Sequence, residues 1–210
     1  TPWLFDLDGT LIDSNSAVVE CMKVTVREVG GDVTDEEELR SSFGRGLMNT
    51  MAKWVPEGKL DQALARYEEN FPRLVQNNLR FYPGVLELLE YFRSKGMPMA
   101  VVTGNRQFEV NGIFEQLSFA HFFGAVVCAD SIPFQKPHPE PVLEALRRLG
   151  QPVDNAVFIG DSEHDVRAGK LAGVKTIAVH GGSSTLERLE EAGPDYFVES
   201  IEQLLRKLAY

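Results

Sequence analysis

Two acidic side chains near the start of the chain follow an apolar segment. Asp6 and Asp8 lie one residue apart, directly after the run at 3–5, and Gly9 and Thr10 come next. Because neighbouring side chains of a strand point to opposite faces, both carboxylates lie on the same face of a strand through these residues. Burying a carboxylate without a partner is costly. We therefore expect a positively charged group to bind against Asp6 and Asp8.

Three later segments have the same character, since each places polar side chains at the end of an apolar run or just before a helix. These segments contain Asp161 and Asp165 in GDSEHD, Thr103, Gly104 and Asn105 in VVTGN, and Lys136 in QKP. Asp161 and Asp165 are four residues apart at an expected helix start, which predicts that they share a helix face. In open α/β sheets the ligand crevice lies at the carboxyl ends of the strands. We therefore expect the four segments to converge at one such edge.

The elements that would position these residues alternate along the chain. Strands are predicted at 98–102, 124–128, 156–159, 174–179 and 196–198, and helices at 85–96, 107–117, 139–149, 163–172, 184–192 and from Ile201 onward. Short apolar runs that alternate with amphipathic helices indicate an α/β fold, with a parallel sheet and helices on both faces.

A helical segment interrupts this alternation after the first strand. Residues 15–79 carry helical periodicity without a convincing strand, in stretches at 17–29, 34–43, 47–54 and 60–71. Pro72 is expected to kink or end the last of these helices. The sequence thus predicts a core of 1–14 and 80–210 and an all-helical insertion of 15–79, with hinges near 13–15 and 77–83.

Composition narrows the classes of partner. The 210 residues carry a formal net charge of −10, and such a surface repels nucleic acid and anionic membranes. No apolar run approaches the ~20 residues of a membrane helix. Cys21 and Cys128 lack metal or redox spacing and are expected to be reduced structural thiols. No signal peptide is visible, which favours a cytoplasmic protein, whereas the oligomeric state stays unknown.

The four segments together resemble the haloacid dehalogenase superfamily of phosphohydrolases. DLDGT at 6–10, the Thr of VVTGN, the Lys of QKP and GDSEHD at 160–165 match its motifs in order and spacing, from Phe5 to about Gly173. The resemblance implies a Rossmann-like core with a helical cap at 15–79. DLDGTLIDS and GDSEHDVRAGKLAG are similar to the phosphoglycolate phosphatase group, except that Gly169 stands where that pattern has Ala. This implies a hydrolase that acts on a small phosphorylated metabolite.

The resemblance assigns each motif residue a catalytic or binding role. Asp6 is the expected nucleophile, which forms an aspartyl phosphate, and Asp8 the expected general acid and base. Thr10 is expected to support the loop around Asp6. The groups expected to bind the phosphoryl oxygens are the Thr103 hydroxyl, the N–H groups of Gly104 and Asn105, and the Lys136 ammonium.

The acidic residues also predict a metal site. Several carboxylates that face a phosphate dianion require a cation, and an oxygen-only ligand set suits Mg²⁺ better than zinc. By resemblance, Asp6 and Asp161 supply side chains and Asp8 its backbone carbonyl. Asp165 is either an outer ligand, a partner of the ligands, or a charge that stabilises the helix start.

Other polar residues carry weaker indications. Arg45, between Gly44 and Gly46, is predicted to lie in a cap loop, where it either reads an anionic substrate or faces solvent. His164 is expected to be a solvated loop residue, and His180 is left open as a residue of the crevice entrance.

Two alternative functions stay open from the sequence. A sugar phosphomutase of the same superfamily keeps both acids, but has Val rather than Thr after the motif glycine and a His in the first cap helix, where this chain has Thr10 and Val18. A non-enzymatic binding or regulatory protein would be expected to lack a motif acid, and both Asp6 and Asp8 are present.

Overall fold

A computed structural model describes residues 1–42, 46–75 and 78–209. The strands are β1 (Trp3–Phe5), β2 (Ile12–Asp13), β3 (Arg80–Phe81), β4 (Met99–Val102), β5 (Ala125–Val127), β6 (Val157–Gly160), β7 (Lys175–Val179) and β8 (Tyr196–Val198). The helices are α1 (Asn15–Glu28), α2 (Glu36–Ser41), α3 (Leu47–Ala52), α4 (Leu60–Leu74), α5 (Val85–Ser94), α6 (Gln107–Leu117), α7 (Glu140–Leu149), α8 (Glu163–Ala172), α9 (Leu186–Ala192) and α10 (Ile201–Ala209), with a short 3₁₀ helix at Ala120–Phe122. None of the described helices combines the length and the apolar character needed to cross a bilayer.

Six strands form one parallel sheet in the order β5-β4-β1-β6-β7-β8. The predicted α/β fold with a parallel sheet is therefore confirmed, and the predicted strands lie within two residues of the observed ones. In the register of the sheet, Phe5 pairs with Val101 on one side and with Ile159 on the other. Because β4 and β6 end only one residue beyond β1 in this register, Asp6, Thr103 and Asp161 emerge at the same edge of the sheet.

Alternating residues of the central strands bury opposite faces of the sheet. Phe5 and Val101 belong to the larger core cluster, in which Phe92 of α5 also lies. Leu4 and its neighbours contribute to a second cluster that contains Val142 of α7. Leu4, Phe5 and Val101 are fully buried, which means that both faces of β1 are covered and that the strand cannot shift by one residue without exposing apolar surface.

The described residues between β2 and β3 form helices and loops without a strand, as the sequence predicts. Helices α1 and α4 pack against each other. Helix α4 does not end at Pro72 but runs on to Leu74. Pro72 lies in the last turn, where the loss of one backbone N–H affects few of the helical hydrogen bonds.

A small antiparallel ladder joins the two chain segments that connect these helices to the sheet. Ile12 of β2 pairs with Phe81 of β3, and Asp13 pairs with Arg80. The Arg80 guanidinium donates to Asp13 Oδ2 at 2.5 Å. The sequence predicts hinges at these segments but not their pairing; Asn77, within the second predicted hinge, lies outside the described residues.

Candidate active site

The predicted convergence of polar segments occurs at the carboxyl edge of the sheet. Asp6 follows β1, Thr103 follows β4 and Asp161 follows β6, while Lys136 reaches in from the loop between β5 and α7. The side chains of Asp6, Thr103, Lys136 and Asp161 are all buried. Four segments that are distant in sequence thus form one crevice.

Three carboxylates gather at the floor of this crevice. Asp6, Asp161 and Asp165 each offer one oxygen, and these oxygens lie within 4.8 Å of one another. Lys136 Nζ lies 2.7 Å from Asp6 Oδ1 and 2.6 Å from Asp165 Oδ1, and it donates to the Val102 carbonyl at 3.2 Å. When all three acids are ionised, a single ammonium leaves two negative charges uncompensated. This buried, oxygen-only cluster is suited to hold a metal ion.

The pKa values of the cluster reflect this crowding of charge. Burial raises the pKa of Asp6 well above its ordinary value, and the neighbouring Asp165 raises it further, against the opposing effect of Lys136. Burial and Asp165 likewise raise the pKa of Asp161. Burial disfavours the Lys136 ammonium, but Asp165 and Asp6 outweigh it and raise the Lys136 pKa. Lys136 is therefore charged at neutral pH.

Asp8 is held separately from the three clustered carboxylates. The Ser14 hydroxyl donates to Asp8 Oδ1, and the Asn105 side-chain amide donates to Asp8 Oδ2 at 2.5 Å. Burial raises the pKa of Asp8, and the bonds from Ser14 and Asn105 oppose this rise. A carboxyl with an elevated pKa can carry a proton at a pH at which an ordinary aspartate is ionised.

One of the backbone N–H groups after β4 is not available for the role that the sequence assigns to it. The Asn105 N–H donates to Thr103 Oγ1 at 3.1 Å and is already engaged, rather than free for a phosphoryl oxygen. Helix α6 begins only at Gln107, so Gly104 and Asn105 lie ahead of it instead of in its first turn. The contribution of Asn105 to the site is its side chain, which reaches Asp8.

Asp161 and Asp165 meet by a route other than the predicted shared helix face. Asp161 precedes Ser162, which is the N-cap of α8, and so lies outside the helix. Asp165 accepts from the Ser162 N–H at 3.1 Å and from the Ser162 hydroxyl at 2.6 Å. This reciprocal capping turns Asp165 back over the helix start toward Lys136.

Two hydroxyl residues hold the Asp161 carboxylate. Thr10 Oγ1 donates to Asp161 Oδ1 at 3.0 Å. The sequence predicts that Thr10 supports the loop around Asp6, and this bond also ties Thr10 to Asp161. Ser183 donates to Asp161 Oδ2 twice, from its N–H at 2.5 Å and from its hydroxyl at 2.7 Å. Sequence reasoning missed Ser183, although HGGSS follows a predicted strand and the same strand-end rule applies to it.

Glycines let the backbone approach Asp161 closely. A Cβ at Gly9, whose φ is +81°, would lie 2.4 Å from Asp161 Oδ2, and a Cβ at Gly182 would lie 2.1 Å from the same oxygen. Both distances are far inside van der Waals contact. There is therefore no room for a side chain at Gly9 or at Gly182 beside the Asp161 carboxylate.

Residues of α1, α3, α4 and α6 form the wall opposite the acids. Val18, Leu47 and Tyr67 line this wall, together with Glu109 of α6. Burial raises the pKa of Glu109 to about 8, and its carboxyl is hydrogen-bonded to Tyr67. The wall described here is thus mainly apolar and neutral near pH 7.

Three further residues named from the sequence take no described part in the crevice. Arg45 lies outside the described residues. His164 is not a loop residue but lies in the first turn of α8, where it is half-buried. His180 is exposed and does not line the crevice.

Comparison with known proteins identifies the family. The chain matches the family model described as haloacid dehalogenase-like hydrolase over residues 3–179. It is 31% identical over 202 residues to pyrophosphatase PpaX of Oceanobacillus iheyensis, which covers 96% of this chain and 94% of that protein. It is 29% identical over 210 residues to the phosphoglycolate phosphatase of Pseudomonas syringae pv. syringae, and this match covers 96% of this chain and 77% of that protein. The chain belongs to the haloacid dehalogenase-like hydrolase family.

A solved structure supports the fold independently. A haloacid dehalogenase-like hydrolase from Bacteroides fragilis superposes with a TM-score of 0.89 at 22% identity, over 97% of this chain and 99% of that one. Both relatives named above are phosphatases. The expectations of the family, of the fold and of an enzyme of the phosphatase kind are confirmed.

Proposed function

We propose that this protein is a Mg²⁺-dependent phosphomonoester hydrolase that works through an aspartyl phosphate on Asp6. The observation that carries this proposal is the position of Asp6. It lies buried in one cluster with Asp161 and Asp165 and beside a charged lysine, and it is separated by one residue from Asp8, whose surroundings are different. Two carboxylates with distinct environments suit two distinct roles.

In the first step a carboxylate oxygen of Asp6 attacks phosphorus, and the bond from phosphorus to the leaving oxygen breaks. Asp8, protonated, gives its proton to that leaving oxygen. In the second step Asp8 takes a proton from water, which attacks phosphorus and releases inorganic phosphate from Asp6. The two steps replace one difficult displacement by two easier ones.

The transferring phosphoryl group requires donors around its equatorial oxygens. Thr103 and Gly104 line the crevice next to Asp8, and Lys136 carries its charge at the floor. We assign phosphoryl binding to the Thr103 hydroxyl, the Gly104 N–H and Lys136. The Asn105 N–H, assigned the same role from sequence, would have to leave Thr103 first.

We propose that the metal is Mg²⁺, held by Asp6, Asp161 and the Asp8 backbone carbonyl, with Asp165 as a partner that positions Lys136. The support is the chemistry of the donors, because the cluster that the described residues form consists of three carboxylates, without a histidine or a thiolate, and such a set favours a hard divalent cation. When bound, the metal would neutralise the two uncompensated charges and orient the phosphoryl group.

We propose a division into a core of 1–14 and 80–210 and a cap of 15–79. In support, the crevice is walled by the helices after β2 on one side and by the strand ends on the other, and the β2–β3 ladder lies where the two parts connect. In this proposal the cap selects a small phosphorylated metabolite, and Arg45 stays the candidate for reading an anionic leaving group.

A second candidate substrate is inorganic pyrophosphate, because one relative at 31% identity is named a pyrophosphatase. The same Asp6 attack would serve, with phosphate rather than an alcohol as the leaving group. A sugar phosphomutase and a non-enzymatic binding protein remain the alternatives outside hydrolysis.

Steady-state assays with EDTA-treated protein test the proposal. We expect turnover of p-nitrophenyl phosphate with added Mg²⁺ and none without it, and we expect Asp6→Asn to abolish it. Asp154→Asn, which changes an exposed aspartate to the same amide, serves as the matched control. Turnover by Asp6→Asn within tenfold of wild type, a difference of about 1.4 kcal/mol in the barrier, would remove Asp6 as the nucleophile.

The same assay, with phosphoglycolate, pyrophosphate and a sugar phosphate, separates the remaining possibilities. If the protein hydrolyses pyrophosphate best, pyrophosphate rather than a small phosphorylated metabolite is its substrate. A requirement for a bisphosphate activator would indicate a mutase, and no turnover of any phosphoester would indicate a binding protein.

A further inference from the structure

The loop after β7 reaches across the edge of the sheet to Asp161. Ser183 makes two hydrogen bonds to Asp161 Oδ2, whereas Thr10 makes one to Oδ1. A carboxylate oxygen has about two in-plane lone pairs. Within the described residues, Oδ2 is therefore saturated by Ser183, and Oδ1 keeps one lone pair.

The backbone fixes this arrangement. Gly9 and Gly182 both approach Asp161 Oδ2 so closely that a Cβ at either position would collide with it. The carboxylate consequently has little room to rotate and exchange its two oxygens. The oxygen with a remaining lone pair is the one on the Thr10 side.

We propose that Ser183 is a positioning residue that restricts Asp161 to binding metal through one oxygen and thereby favours Mg²⁺ over Ca²⁺. Mg²⁺ takes six ligands in strict octahedral geometry, which suits a carboxylate that offers one oxygen. Ca²⁺ takes six to eight ligands and often binds both oxygens of a carboxylate, which Ser183 prevents at Asp161. The inference rests on the metal site of the proposed function.

Calorimetric titration of the EDTA-treated protein with Mg²⁺ and with Ca²⁺ tests this role without relying on activity. For Ser183→Ala we expect the Mg²⁺ dissociation constant to rise about tenfold, as is usual when a hydrogen-bond partner of a metal ligand is removed. The Ca²⁺ constant should rise by less than about threefold, because a second Asp161 oxygen becomes available. Ser183→Thr, which keeps the hydroxyl, should restore Mg²⁺ binding.

Ser184→Ala is the matched control, because the neighbouring Ser184 hydroxyl bonds to Glu163 and not to Asp161. Circular dichroism and thermal unfolding in EDTA establish whether each variant is folded. If Ser183→Ala is not folded, Ser183→Cys replaces it, because the cysteine thiol is only a weak hydrogen-bond donor.

Equal weakening of both metals in Ser183→Ala would overturn the proposal, since a purely structural role predicts that result. Unchanged Mg²⁺ binding in that variant, or the same loss in Ser184→Ala, would overturn it as well. Absence of Mg²⁺ binding by the wild-type protein would instead refute the metal site itself, and with it this inference.

Discussion

Replacing the proposed nucleophile should make the metal-free protein more stable while it abolishes turnover. Asp6 is 7% exposed and lies against Asp161 and Asp165, and the pKa of Asp6 is raised by burial and then by Asp165. The folded state therefore binds the Asp6 proton more tightly than the unfolded state does, and an ionised Asp6 destabilises the fold. Asp6→Asn removes that charge, keeps an oxygen that can accept from Lys136, and adds an amide donor beside the remaining acids.

Linkage gives the direction of the effect, because a group that binds its proton more tightly in the folded state destabilises the fold once it is ionised. We expect Asp6→Asn to stabilise the metal-free protein near pH 7.5 by roughly 1–3 kcal/mol, within the usual range for a single substitution that relieves a poorly compensated buried charge. For a chain of this length, each kcal/mol raises Tm by roughly 2–4 °C.

Thermal unfolding in EDTA, followed by circular dichroism, measures this difference. The free energy of unfolding depends on pH in a definite direction. Protonated Asp6 favours the folded state at low pH, and this contribution is lost as the pH rises through the elevated pKa of Asp6. The advantage of Asp6→Asn should therefore shrink as pH falls, because wild-type Asp6 then becomes neutral too. Asp154→Asn, at an exposed site, should show no such difference.

Added Mg²⁺ should reverse the order. A cation that binds the folded state stabilises it by about 2.7 kcal/mol at one hundred times its dissociation constant, and Asp6→Asn has lost a ligand oxygen charge. A Tm of Asp6→Asn in EDTA equal to or below that of wild type would refute the reasoning, because it would show that Lys136 already compensates the clustered acids.

Four further predictions concern the mechanism, the metal, the cap and the packing of the core. Asp8→Asn should slow the release of alkyl leaving groups more than aryl ones, because only the former need a proton; equal loss across a leaving-group series measured at saturation would exclude the acid role. Ca²⁺ should bind but inhibit p-nitrophenyl phosphate turnover, since its larger shell can take both Asp6 oxygens; equal rates in Ca²⁺ and Mg²⁺ would contradict this. Arg45→Ala should raise KM for the preferred anionic metabolite while it leaves p-nitrophenyl phosphate turnover nearly unchanged, and a parallel loss on both substrates would rule out a specificity role. Gly169→Ala should destabilise the protein by about 1–3 kcal/mol in urea unfolding, because a Cβ there would lie 2.5 Å from the Thr176 methyl group; unchanged stability would show that Thr176 moves freely.

The last of these predictions also explains a departure from the sequence pattern. The family-like motif has Ala where this chain has Gly169, which from sequence alone predicts only altered helix packing. In the structure, the space of the missing methyl is taken by Thr176, whose hydroxyl bonds to Asp195. The glycine at position 169 therefore fits the presence of Thr176 on β7, a neighbour that no local sequence pattern identifies.

The sequence by itself determined the six strands of the parallel sheet, the α-helices after residue 80 and the edge of the sheet at which Asp6, Thr103, Lys136 and Asp161 meet. It could do so because burial imposes a period on each element, and because parallel strands with helical crossovers bring their carboxyl ends to one side. These rules act within short segments and need no knowledge of distant partners.

Tertiary structure alone decided which hydroxyl serves which carboxylate. Thr10 turns to Asp161 across 151 positions of sequence, Ser14 takes Asp8 instead of capping its own helix, and Ser183 closes over Asp161 from a loop whose sequence is only Gly- and Ser-rich. A hydrogen bond depends on distances of a few tenths of an ångström between segments. Local periodicity carries no information at that scale, so these contacts emerge only when the sheet and its loops are assembled.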